Sequence, residues 1–240
     1  MNTALIFAGG TGTRMNSGGR PKQFLELHGK PILIHTIEQF EHHPEIDNIA
    51  VVCIAGWIDY LKGLLHRHGI QKVKWIVPGG TTSQESTRNG LNAIAADQDP
   101  ADTIVLIHDG VRPLITPELI HDNIQCVKDY GNAITVAPAI ETIITTGDGA
   151  CVDQVIDRSA CRLARAPQSF VLKDILDMHH RALAENYDEM IDSASLMMHY
   201  GVRLHIVNGP PENIKITTPS DFYVFRAIVE ARENSRIWGI

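Results

Sequence analysis

Short apolar runs alternate with segments of helical period along this chain. That alternation predicts an α/β protein with a mostly parallel, Rossmann-like, doubly wound sheet. Three observations carry the prediction. Residues 49–55 and 103–108 are apolar almost throughout, as strands covered on both faces are. Residues 32–41, 58–68 and 83–96 repeat apolar positions at helical spacing. Hydrophobic residues make up 44% of the 240 and charged residues 20%, enough to bury a substantial core and too apolar for a disordered chain.

The elements follow in order. Residues 4–8 read as a first strand running directly into glycines, without the charged start or cleavage site of a signal peptide. After the helix at 32–41, the strand at 49–55 and the helix at 58–68, residues 73–77 read as a further strand. The helix at 83–96 takes Thr82 or Ser83 as its N-cap. Thr116-Pro117-Glu118 combines a cap, a proline at the first helical position and an early acid, and so starts another helix. Residues 133–137 are again a strand. From 140 to about 165 the rhythm breaks: two strand-like runs flank Gly147-Asp148-Gly149, which predicts a β-hairpin arm outside the main sheet. Helices at 174–184, 193–200 and 221–233 and a strand at 204–207 complete one domain over residues 1–240, with the arm at about 140–165.

The formal net charge is −7, which argues against nucleic acid as the main partner but allows a local cationic pocket for a small phosphorylated ligand. Cys53, Cys126, Cys151 and Cys161 form no C-x-x-C pair and no zinc spacing. No apolar run approaches the ~18 residues of a membrane span. The expected compartment is the cytoplasm, and no membrane partner is expected.

In a doubly wound sheet, ligands bind beyond the carboxyl ends of the strands. The loops after Phe7, Val77 and His108 are therefore the ones to search. The first reads Ala8-Gly9-Gly10-Thr11-Gly12-Thr13-Arg14-Met15 and leads to Pro21-Lys22-Gln23-Phe24. Glycines after a first strand let backbone N–H groups approach phosphate oxygens. The loop is not a Walker motif, since no Gly-Lys-Ser/Thr follows, and it lacks the third glycine of a dinucleotide fingerprint. Its distinctive feature is two cations, Arg14 and Lys22, which suit stabilisation of charge on a reacting phosphate.

These blocks resemble the signature of the sugar-phosphate nucleotidyltransferases, and most closely the cytidylyltransferases acting on methylerythritol phosphate or ribitol 5-phosphate. Gly79-Gly80 with Ser86 is similar to the loop that reads cytosine. His108-Asp109-Gly110-Val111-Arg112-Pro113, Pro167-Gln168-Ser169-Phe170 and Asn213-Ile214-Lys215-Ile216-Thr217 match further blocks in the same order, over residues 4–225. The resemblance implies CTP bound by Ala8, Gly9, Gly10, Thr11, Gly12, Gly80, Thr81 and Ser86. It implies Arg14, Lys22 and Lys215 as catalytic cations. Asp109, Arg112, Thr142, Arg158 and Asp192 fall on the acceptor side. Asp109 doubles as the ligand of Mg²⁺, which prefers substrate phosphates plus one or two carboxylates. The arm is implied to cross to a second subunit, making a homodimer, with Thr142 and Arg158 helping to hold the acceptor.

The chain departs from the methylerythritol-phosphate pattern on the acceptor side. Ala166, preceded by Arg165, stands where a threonine is usual; Ile191-Asp192-Ser193-Ala194 replaces a second threonine block; and Ser83 replaces a basic residue. Losing a hydrogen bond to a buried substrate hydroxyl alters selection strongly. Thr116, Pro167-Gln168-Ser169-Phe170 and Thr217-Thr218-Pro219 lean toward ribitol 5-phosphate, for a CDP-activated polyol of a cell-surface polymer. Methylerythritol phosphate and isoprenoid synthesis are the alternative. Two rivals of other classes are a nucleotide-dependent oxidoreductase, opposed by the missing third glycine, and a non-catalytic nucleotide-binding protein, opposed by the retention of Arg14, Lys22 and Asp109.

Overall fold

The computed structural model describes residues 1–10, 19–187 and 190–238. A seven-stranded sheet organises the molecule. Its strands are β1 (Asn2–Ala8), β4 (Asn48–Cys53), β5 (Val73–Pro78), β6 (Ile104–Asp109), β7 (Asn132–Pro138), β10 (Arg162–Val171) and β11 (Ile206–Asn208), in the order β11-β7-β10-β6-β1-β4-β5. Two short ribbons stand apart: β2 (Glu26–Leu27) with β3 (Lys30–Pro31), and β8 (Ile143–Thr145) with β9 (Gln154–Ile156). Pairing is parallel between β6, β1, β4 and β5 and between β11 and β7; β10 runs antiparallel to both of its neighbours.

Both sheet faces are buried around β1, β4 and β6, which is why these strands are almost continuously apolar rather than alternating. Along β1, Ala4, Ile6 and Ala8 join one core with α1 (Ile32–Glu41), α2 (Ile58–Arg67) and α4 (Pro117–Tyr130). Leu5 points into the other, with α3 (Ser83–Ala95), α5 (Leu172–Ala184) and α6 (Ser193–His199). A third cluster packs α7 (Pro219–Trp238) against Leu27, Val111 and Ile216. Local caps set the helix starts. Thr82 accepts from the Glu85 N–H and Thr116 from the Leu119 N–H, and α4 ends on Gly131 at φ 83°, a left-handed position glycine takes without strain. None of the described helices is long and apolar enough to cross a membrane.

The predicted elements are present, with shifted bounds: the strand expected at 49–55 ends at Cys53, the helix expected at 174 starts at Leu172, and the β2–β3 ribbon was not expected. The strand expected at 204–207 pairs at Ile206–Asn208, and the last helix begins at Pro219 rather than 221. One difference is larger. Arg162–Val171 enters the centre of the main sheet, where only the arm's end was expected at 162–165. Its charged start and internal proline read against a central strand. The sheet accepts it because the register with β7 breaks between Ala164 and Gln168, so Pro167 sits where no ladder bond is required of it. The hairpin itself is β8 and β9, joined through a turn in which Asp148 accepts from the N–H groups of Ala150 and Cys151.

Gly110 closes the junction between sheet and cavity. Its N–H donates to the Phe7 carbonyl at 2.7 Å, and a Cβ there would lie 2.5 Å from that oxygen and 2.8 Å from Leu33 Cδ1. The obstructing atom is backbone and has nowhere to go. Gly110→Ala is therefore expected to destabilise the fold by about 1–3 kcal/mol, the usual range for overpacking. Thermal unfolding checks it, and an unchanged melting temperature would contradict the close approach.

Candidate active site

A cavity of about 550 Å³ opens at the carboxyl ends of β1 and β6. Phe7 and Ala8 end one strand, and Ile107, His108 and Asp109 end the other. A parallel sheet leaves its ligand crevice at this edge, because the connecting loops diverge there. Lys22, Arg112, Arg165 and Lys215 line it against two carboxylates, Asp109 and Asp192. The chain is acidic as a whole, yet this cavity carries a positive excess among the described residues.

The first loop is held from behind. Gln23 is 1% exposed, and its Nε2 donates to the Ala8 carbonyl at 2.6 Å and the Gly10 carbonyl at 3.2 Å. Both oxygens are thereby satisfied without strand pairing, so the backbone can turn toward the cavity. Lys22 starts the short turn Lys22–Phe24, anchored below by Phe24 stacked on Trp57 at 4.8 Å. Thr11, Gly12 and Arg14 lie outside the described residues.

Asp109 is the electrostatic centre of the opposite wall. Its Oδ1 accepts from Lys215 Nζ at 2.7 Å, and its Oδ2 from Arg112 Nη2 at 3.1 Å and Nε at 3.3 Å. Burial alone would raise the Asp109 carboxyl, but Lys215 and Arg112 outweigh it and hold the group below the usual carboxylate range. Arg112 is 5% exposed, and its Nη1 donates to the Asn213 carbonyl at 2.6 Å. Asn213 donates in turn from Nδ2 to the Ala166 carbonyl at 2.8 Å. One buried asparagine thus ties β6's exit loop, β10 and the segment carrying Lys215. Beneath them, His108 meets the Arg112 carbonyl through Nε2 at 3.0 Å, while desolvation draws its pKa down to about 4. It is a neutral donor that shapes the loop.

A third wall joins β10 to α6. Gln168 donates from Nε2 to Asp192 Oδ2 at 2.8 Å and accepts at Oε1 from the Ala194 N–H at 2.9 Å. Asp192 caps α6, its Oδ1 accepting from the Ser195 N–H. Gln84 Oε1 and both ring nitrogens of His179 are buried with no hydrogen-bond partner among the described residues.

The 79–81 loop sits beside the first loop: a Cβ on Gly79 would lie 3.8 Å from Gly9 Cα and 3.3 Å from Ser86 Oγ. Ser86 Oγ accepts from the Gly80 N–H at 2.9 Å. The N–H of Thr81 goes to Glu85 Oε2 at 2.6 Å. The N–H groups of Gly80 and Thr81, two residues expected to bind CTP, are therefore both satisfied by side chains of the first turn of α3.

Of the expected residues, the structure gathers Ala8, Gly10, Lys22, Asp109, Arg112, Asp192 and Lys215 on one cavity, with Gly9, Gly80, Thr81 and Ser86 at or near its glycine side. Thr142 and Arg158 do not line it. Arg158 donates to the Ile140 carbonyl at 2.8 Å and borders a separate hollow with Pro138 and Arg162. The Asp109 oxygens expected to face a metal are occupied by Lys215 and Arg112. The described residues contain no cluster of three or more His, Cys, Asp or Glu able to hold a metal. Sequence reasoning missed Gln23, Asn213, Gln168 and Arg165 as site residues. The first three stand inside the sequence motifs that carry the resemblance, and each is a buried polar side chain.

A cationic cavity at the switch edge of a doubly wound sheet, fed by a glycine loop with a following lysine, defines a nucleotide-handling transferase site. Comparison with known proteins narrows it. The family described as IspD, 2-C-methyl-D-erythritol 4-phosphate cytidylyltransferase, matches residues 2–231. A Vibrio parahaemolyticus protein named ribitol-5-phosphate cytidylyltransferase is 53% identical, with 100% of each chain covered. A Clostridium novyi 2-C-methyl-D-erythritol 4-phosphate cytidylyltransferase is 37% identical over 95% of this chain and 96% of its own. Among solved structures, the 4-diphosphocytidyl-2C-methyl-D-erythritol synthase of Anaerococcus prevotii superposes with a TM-score of 0.81 at 29% identity, covering 95% of this chain and 96% of that one. The chain belongs to this cytidylyltransferase family and is a nucleotidyltransferase.

Proposed function

We propose that the protein transfers the cytidylyl group of CTP to ribitol 5-phosphate and releases pyrophosphate. The observation that supports this acceptor over methylerythritol phosphate is the full-length relation, at 53% and 50% identity, to proteins from Vibrio parahaemolyticus and Streptococcus agalactiae that carry the ribitol name.

In this reading an acceptor phosphate oxygen attacks the α-phosphorus of CTP. The bond from that phosphorus to the bridging oxygen of the β-phosphate breaks, and pyrophosphate leaves in line. The attacking phosphate is already anionic, so no general base is needed. The residues supply position and charge: Lys22, with Arg14, on the nucleotide phosphates, and Lys215 and Arg112 toward the acceptor. Asp109 orients Lys215. Ser86, accepting from Gly80, keeps its own proton to donate to cytosine N3. Magnesium fits as a counter-ion carried by the nucleotide rather than as a resident ion, since Lys215 and Arg112 take both oxygens of Asp109 and the described residues offer no carboxylate cluster to hold it. When bound, it would neutralise phosphate charge.

The proposed unit is one cytoplasmic domain that dimerises through the hairpin arm. Two features support the dimer. Ile144, Val152 and Val155 are exposed apolar residues along the arm, and Thr142 and Arg158 lie away from their own cavity. The test is pyrophosphate release with CTP and Mg²⁺ against ribitol 5-phosphate, methylerythritol 4-phosphate and glycerol 3-phosphate. Turnover with ribitol 5-phosphate, lost in Lys22→Ala, is expected. Preference for methylerythritol 4-phosphate would transfer the protein to the isoprenoid reading, and no turnover with any acceptor would sink the transfer reading.

A further inference from the structure

Arg165 sits where β10 leaves the ladder, in the register break between Ala164 and Gln168. Ala164, Arg165 and Ala166 all border the cavity. Freed from pairing, the strand presents a guanidinium to the crevice rather than to a neighbouring strand. Its Nε is buried and has no hydrogen-bond partner, and Arg165 forms no ion pair among the described residues. It lies close enough to Arg112 for their like charges to interact.

The two arginines differ in what neutralises them. Arg112 spends donors on Asp109 and on the Asn213 carbonyl. Asp109 already serves Lys215 as well. Asp192, the other carboxylate lining the cavity, is occupied by Gln168 and Ser195. Nothing in the described cavity balances Arg165, and a desolvated guanidinium N–H without an acceptor is costly. Such a group is stabilised by an incoming oxyanion with a planar pair of acceptors, which phosphate supplies. Its position decides which phosphate. Arg165 adjoins Ala166, whose carbonyl holds Asn213, and Asn213 holds Arg112 in the group that includes Lys215. Lys22 and the glycine loop belong to another wall.

We propose that Arg165 is a specificity-determining residue that binds the phosphate monoester of the acceptor. This rests on the transfer reading above and deepens it. A dianionic monoester meets the positive excess of this cavity, whereas a neutral polyol of the same size does not, so Arg165 selects phosphorylated acceptors over free ones.

The test compares Arg165→Gln, which keeps shape and removes charge, with Arg165→Lys. For Arg165→Gln, KM for ribitol 5-phosphate is expected to rise roughly 10- to 100-fold, the effect of losing charge-assisted hydrogen bonds, with KM for CTP within about two-fold. Arg165→Lys should recover part of the loss. Titration calorimetry with inorganic phosphate and with ribitol 5-phosphate gives a readout independent of turnover: the parent binds, and Arg165→Gln binds at least ten-fold more weakly. Unchanged acceptor KM and unchanged phosphate binding would overturn the proposal. So would a rise confined to the KM for CTP, which would assign Arg165 to the nucleotide. A lowered melting temperature with both KM values raised together would make it structural. If the parent turns over no acceptor, the transfer reading fails by itself, and calorimetry still decides whether Arg165 binds a phosphate monoester.

Discussion

Lys215→Met is expected to lower kcat/KM by roughly 10²- to 10³-fold, the cost of removing one preorganised charge from a phosphoryl-type transition state, while the fold stays intact. The two halves of that expectation have separate causes. The Lys215–Asp109 pair is short, at 2.7 Å, but Lys215 is 45% exposed, so water screens much of its contribution. Pairs of this kind stabilise folds by no more than about 1 kcal/mol. Asp109 also keeps Arg112, so the variant does not strand a bare buried carboxylate. With Lys215 gone, burial opposes ionisation of Asp109 with less resistance, and its pKa should climb back from its depressed position. Pyrophosphate-release kinetics and thermal melting measure both halves, with Lys173→Met, which loses only the exposed pair with Asp177, as control. A loss below about five-fold would remove Lys215 from the catalytic group. A collapsed melting temperature would make it a structural residue.

Stability should fall steeply as pH drops from about 6.5 toward 4. Desolvation draws His108 and His179 to a pKa of about 4 in the folded protein, from 6.5 when exposed. Between those values the unfolded chain binds protons that the folded chain refuses, so acid favours unfolding. The penalty is absent above about 6.5, grows through the window and levels below 4. Each histidine contributes on the order of 3 kcal/mol at the acid end, a large share of the roughly 5–15 kcal/mol that holds a typical domain together. Asp109 works in the same direction in a lower window: its depressed folded pKa gives stability that is lost once pH falls below the ordinary carboxylate range. Urea unfolding at pH 7.5, 5.5 and 4.5 tests the slope. His179→Leu should flatten it and raise stability at pH 5.5, because both ring nitrogens of His179 are buried without partners among the described residues. A parent whose unfolding midpoint does not move between pH 7.5 and 5.5 would show that these rings take up protons when folded.

Much of the fold was legible in the sequence because burial on both faces leaves a local mark. The run at 49–55 could be a covered strand without knowledge of its neighbours, and Thr116-Pro117-Glu118 states a helix start by its own hydrogen-bond chemistry. β10 was not legible. Arg162, Arg165 and Pro167 interrupt its apolar residues, and what makes Arg162–Val171 a central strand is acceptance by β6 and β7 on either side. The site divides the same way. Asp109, Arg112, Lys22 and Lys215 were found from motifs. Gln23 and Asn213 were overlooked, because their work is to donate to backbone carbonyls that only the folded loops bring within reach.

By itself, then, the sequence determined the strand and helix periods, the caps and the loop that carries glycines and a lysine beyond the first strand. These depend on residues within one or two turns of each other. Tertiary structure alone decided that β10 enters antiparallel between β7 and β6, that Lys215 meets Asp109, that Asn213 bridges Arg112 to Ala166, and that Arg165 faces the cavity uncompensated. The physical reason is that a residue's own chemistry specifies how many hydrogen bonds and charges must be satisfied. Which distant group satisfies them is set by the packing that brings the two together.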